Sequence, residues 1–161
     1  MTPELHRPIP ADRVGATGLR VVVEADTGEC AALARRMQIP EVVSLRCTFD
    51  LVRLTADTIL ADGRLQAHVV QTCVISLEDF PVEIDEAFRV RFVPAGEESD
   101  DLDPEADDEI GCADGVLDLG EAAAEQLGLA LDPYPRAPGA ELPEIETEAE
   151  EHPFAALRRR H

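Results

Sequence analysis

Glu41-Val-Val-Ser-Leu-Arg-Cys-Thr-Phe-Asp-Leu-Val52 is the stretch on which the fold turns. Val43, Leu45, Cys47, Phe49 and Leu51 share one parity, with Ser44, Arg46, Thr48 and Asp50 on the other. Such alternation describes a strand with one buried and one wet face, as in an antiparallel sheet covered on a single side. Downstream, Asp57 to Leu60 reads as a short strand and Arg64 to Ile75 as its return. Asp62-Gly63 between them reads as the hairpin turn, because both turn positions must tolerate positive φ. Val82, Ile84, Phe88, Val90 and Phe92 share a parity on a further strand, 82–93. Upstream, Arg20 to Ala25 is rich in β-branched residues and reads as a strand. Asp26 then has Glu29 three residues on, the spacing of a capping box. Cys30, Leu33, Ala34 and Met37 follow helical spacing, so a helix is predicted over 27–37.

A second helix, 119–130, is predicted from the stripe Leu119, Ala122, Ala123, Leu127, Ala130 and Leu131. Asp118 and Glu121 repeat the capping-box spacing. Val116 to Leu119 reads as a short strand or as a lead into that helix. Prolines after Asp132 cannot continue the helix, and the stiff segment they form carries the only tyrosine, Tyr134. The reading is an α+β fold: an antiparallel β-meander, flat or curling toward a barrel, covered by two short helices. Residues 1–17 are expected as an N-terminal arm. Residues 18–131 form one domain, and 132–161 form a Pro/Glu-rich extended tail.

Charge divides the chain. Residues 1–96 hold 14 acids and 10 arginines, a balance of −4, whereas 97–161 hold 20 acids and four arginines, a balance of −16. The second part repels polyanions. Nine of the 13 residues at 97–109 are acids, so self-repulsion exceeds any burial and a mobile loop is expected. No run reaches the roughly 18 apolar residues of a membrane span, and no signal peptide is evident. The four cysteines lack paired spacing, which points to a reduced, cytoplasmic protein rather than a disulfide framework.

Few residues are arranged for chemistry. Asp101-Leu-Asp-Pro-Glu-Ala-Asp-Asp-Glu-Ile-Gly-Cys112 imitates a calcium loop, but Ala106 stands where the sharp turn needs glycine and Cys112 where the bidentate glutamate belongs. His6, His68, His152 and His161 have no mutual spacing for a metal or a triad. No nucleotide, phosphate-loop or hydrolase fingerprint occurs. The chain is read as non-enzymatic, without cofactor or metal. Arg89 and Arg91 project from the wet side of strand 82–93, with Arg46 and Arg53 on nearby strands. Together they form a candidate polyanion-binding face, or else a solvated face balancing Glu83, Asp85 and Glu86. Phe154 and Leu157 are spaced for one face of a helical turn and are candidates for docking to a partner.

Several segments together resemble the YceD family of bacterial large ribosomal RNA subunit accumulation proteins. They are Gln71-Thr-Cys-Val-Ile-Ser-Leu-Glu-Asp-Phe80, the Phe88 to Phe92 strand, Leu119-Gly-Glu with Glu125, Asp132-Pro-Tyr-Pro-Arg136, and Pro153-Phe-Ala-Ala-Leu157. The motif residues are Cys73, Leu77, Glu78, Leu119, Glu121, Glu125, Pro133 and Pro135. The resemblance implies a part in accumulation or processing of large-subunit (23S) ribosomal RNA, and hence in 50S assembly. It brings no catalytic residues. Many such proteins carry Cys-x-x-Cys near this point, but Ser76 occupies the second position here, and one thiolate cannot make a tetrahedral zinc site. Two mechanisms follow. One acts mainly through contacts with ribosomal proteins or pre-ribosomal particles, the acidic segments attracting a basic partner and reaching rRNA only indirectly. The other binds rRNA directly through the arginine face. Arg46, Arg89, Arg91, Tyr134, Arg136, Phe154 and Leu157 are the candidate contact residues.

Overall fold

The computed structural model describes residues 3–100 and 103–143. Five strands form one open sheet: β2 (Leu19–Glu24), β3 (Glu41–Arg53), β4 (Ile59–Thr72), β5 (Asp79–Pro94) and β6 (Asp108–Cys112), side by side in that order. The first four are antiparallel, and β6 joins β5 in parallel. With β2 and β6 as free edges, the sheet does not close into a barrel. A separate two-stranded ribbon pairs β1 (Pro8–Pro10) with β7 (Val116–Asp118), Ile9 opposite Leu117. The helices are α1 (Thr27–Met37) and α2 (Leu119–Ala130). They contribute Leu33, Ala123 and Leu127 to a core that holds Cys47, Phe49, Leu65, Val90 and Phe92 from the sheet.

Local chemistry explains the helix starts. Asp26 Oδ1 accepts from the Glu29 amide while the Glu29 carboxylate accepts from the Asp26 amide, a complete capping box. At α2 only half the expected box forms. Asp118 accepts from the amides of Gly120 and Glu121. The Glu121 carboxylate instead takes both terminal nitrogens of Arg36 on α1, at 2.7 and 3.0 Å. A bidentate guanidinium outcompetes a single reach back to the cap.

Three strand expectations are corrected. Asp62-Gly63 is not a turn but lies in mid-β4, opposite Asp50 and Phe49 on one side and Arg89 and Phe88 on the other. The chain reverses earlier, where the amides of Leu54 and Thr55 donate to the Thr58 carbonyl. Gly63 is glycine for packing: a Cβ there would lie 2.1 Å from the Phe88 ring. That ring packs edge-on against Phe49, centroids 5.7 Å apart. The two strands expected at 57–60 and 64–75 are therefore one. Val43 leaves its expected face, being 56% exposed while Val42 is buried. A register shift between Val42 and Ser44 inserts one extra residue, after which the alternation resumes.

Residues 3–17 are not a free arm. Leu5 and Val14 are fully buried, and Ile9 nearly so. Arg7 holds both helix starts: its guanidinium grips Glu29 of α1 at 2.7 and 2.9 Å, and its backbone amide donates to the α2 cap Asp118. Its carbonyl accepts from Leu119. Gly120 allows this approach, since a Cβ there would sit 2.6 Å from the Leu5 carbonyl oxygen. The acidic segment also contributes structure that its charge did not predict. β6 begins within it, Glu98 accepts from the Gly96 amide, and Asp107 reaches Arg91 at 3.4 Å.

Candidate functional site: the motif turn and its proline segment

Two motif segments sixty residues apart in sequence meet at one end of the sheet. After β4 the chain makes a tight turn. The Cys73 amide donates to the Glu78 carbonyl and the Leu77 amide to the Cys73 carbonyl, both at 2.9 Å. Across this turn runs the segment after α2. Its Asp132 carbonyl accepts from the buried Gln71 side chain at 3.1 Å, and its Pro135 carbonyl accepts from the Val74 amide at 2.9 Å. Asp132 Oδ1 accepts from the Tyr134 amide, bending the proline segment into an Asx turn. Cys73, Leu77, Glu78, Pro133, Tyr134, Pro135 and Arg136 thus belong to one junction.

The Cys73 thiol lies within this junction, sealed from solvent. Burial alone raises a thiol pKa, but here hydrogen bonds outweigh it and hold the value down to about 6. The donors are the Ser76 hydroxyl first, then the amides of Ser76 and Ala137, and more weakly that of Ile75. The Ser76 amide lies 3.4 Å from the sulfur. Ser76 therefore holds Cys73 by hydrogen bonds from both its hydroxyl and its amide. One thiolate and one hydroxyl do not supply a tetrahedral zinc set. Among the described residues no cluster of three or more His, Cys, Asp or Glu is placed to hold a metal ion.

Leu77 is the outlier of the junction. It adopts φ 60°, a left-handed conformation that costs a residue with a Cβ roughly 1–2 kcal/mol. Yet its side chain is 75% exposed, so local burial does not offset the cost. Tyr134, on the proline segment, is 73% exposed. The sequence shows both residues as motif positions but gives no sign of the positive φ.

The arginine face is different. Arg46 pairs with Glu24 at 2.6 Å, Arg89 with Asp62 at 2.7 Å, and Arg91 with Asp107 at 3.4 Å. Two further arginines not singled out from the sequence share this face: Arg64, bidentate to Asp85, and Arg20, 3.7 Å from Asp50. Finding them required the register between strands. Arg53 is off this face, donating to the carbonyls of Val14, Ala56 and Ala11. Exposed pairs of this kind add little stability, but they neutralise the face. The remaining motif residues are elsewhere: Leu119 is buried under the N-terminal segment, Glu121 is held by Arg36, and Glu125 is exposed one turn further along α2. Phe154 and Leu157 lie outside the described residues.

No helix among the described residues is long and apolar enough to cross a membrane. No curated protein and no solved structure matches the chain. One family model does, over residues 61–159, a span that holds the strained turn, the proline segment and α2. That span exceeds half of the 161 residues, and the chain belongs to the family described as large ribosomal RNA subunit accumulation protein YceD.

Proposed function

We propose that this protein serves large-subunit rRNA accumulation as a non-enzymatic, cytoplasmic assembly factor that works mainly through contacts with basic proteins of the pre-ribosomal particle. The role in accumulation is the family's; the mechanism rests on the neutralised arginine face. RNA affinity comes from cations that displace counterions from phosphates. Each arginine of that face already has a carboxylate within 2.6 to 3.7 Å, which it must leave before meeting a phosphate. The chain's net charge of −20 opposes RNA at long range and favours a cationic protein.

The test is recovery of partners by tagged protein from cell extract at low and at moderate salt. Basic ribosomal proteins are expected in a salt-sensitive way, with less recovered after deletion of 97–109. Recovery of none rejects the reading. Direct rRNA binding has one observation in its favour: Arg91 holds Asp107 through a single nitrogen at 3.4 Å and its side chain stays partly exposed. Affinity for an rRNA fragment that is lost in the Arg89→Ala, Arg91→Ala double variant would establish that mechanism instead.

A further inference from the structure

We infer that the groove between the C-terminal ends of the two helices and the motif turn binds a cationic protein segment through a Lys or Arg flanked by an apolar residue. This rests on the protein-contact reading above and gives it a location. The groove has a volume of about 560 Å³. Met37 and the cap Gln38 of α1 line it, as do Gly128 and the cap Leu131 of α2, so both helices end on it. A helix C-terminus carries about half a negative charge, which favours a cation within the last turn. Two such ends converge here. Asp132 adds a formal negative charge. Arg36, also on the wall, is committed to Glu121 and Glu4. The other walls mix the polar Gln71 and Thr72 with apolar Ile39, Pro40, Val74, Pro133 and Pro135. Apolar wall residues beside Asp132 and the two helix ends match the aliphatic stem and charged head of Lys or Arg. Val74, half exposed on the motif side, supplies area for an adjoining apolar residue.

Gly128 provides the test. A Cβ there meets only the Met37 thioether, at contact distances of 3.4 and 3.6 Å. Gly128→Ala therefore leaves the groove open. Gly128→Arg fills it with a cation, and the fold is retained because Arg favours the last turn of a helix. The probes are three fluorescent peptides of equal length, alternating Lys-Leu, Lys-Ser and Glu-Leu, titrated against the full chain by anisotropy. The Lys-Leu peptide is expected to bind wild type and Gly128→Ala alike, and Gly128→Arg about tenfold more weakly. Val74→Arg, on the opposite wall and half exposed, gives the same loss without touching a helix. Equal binding of Lys-Ser and Lys-Leu, or no effect of either arginine variant, would mean diffuse attraction to an acidic protein and overturn the inference. So would tighter binding of an rRNA fragment than of the Lys-Leu peptide. Cells with Gly128→Arg as their sole copy separate the two readings. Normal large-subunit levels there overturn the groove alone, whereas failure of wild type to recover any basic ribosomal protein overturns the reading beneath it.

Discussion

The two proline-bearing ends of the described chain behave in opposite ways. Residues 3–17 hold Pro3, Pro8 and Pro10, while 132–143 hold Pro133, Pro135, Pro138 and Pro143. Composition makes both look like arms. The first is part of the core: Leu5, Ile9 and Val14 are buried, and Arg7 bridges the starts of both helices. The second lies on the surface, tied by Gln71 and Val74 to its backbone carbonyls and presenting Tyr134 outward. Proline stiffens a segment but does not decide where it goes. Apolar anchors that reach the core do. The first end has three buried anchors and is structural. The second buries none of its own.

The contrast can be tested by substitutions at each end. Leu5→Ala should have the largest effect, a loss of about 2–5 kcal/mol in denaturant unfolding, since it opens a cavity under α2. A loss near zero would make the first end an arm after all. Arg7→Ala should cost about 1–2 kcal/mol. It removes a bidentate charged hydrogen bond that is partly solvent-screened, while the backbone bonds to Asp118 and Leu119 survive.

Cys73→Ala sharpens the contrast through pH. The folded thiol titrates at about 6, well below its ordinary value of 9.0. A group with a depressed folded pKa contributes stability that is fully present above the unfolded value and is lost as pH falls through the folded one. Wild type should therefore gain stability between about pH 6 and 9 relative to Cys73→Ala. Parallel pH profiles for the two would show that the proline segment's Ala137 amide and Ser76 do not hold a thiolate. Tyr134→Ala should have the smallest effect on folding, within about 0.5 kcal/mol, because the ring is exposed. The same variant should lower recovery of basic partners in the pull-down. A large stability loss would instead assign the second end to the core.

Legibility followed the range of the forces involved. Both helices were readable to the residue, because cap and stripe lie within one or two turns of each other. The covered face of β3 was readable from Leu45 onward, but Val43 was not, since a bulge depends on the partner strand. Asp62-Gly63 misled because the rule for turns is local, whereas the claim of Phe88 on the space above Gly63 comes from 25 residues away. The site was half legible. Its residues stood out as motif positions, but the junction of Cys73 with the proline segment did not, nor did the strain at Leu77.

From the sequence alone came the helices, the sheet's single covered face, the uneven charge and the residues of the motif. All of these follow from neighbours along the chain and from composition. Tertiary structure alone decided that the first end is core, that the arginine face is neutralised and that two helix ends share a groove. Each of those depends on which distant groups become neighbours, and pairing energies over such separations are set by register and packing rather than by local spacing.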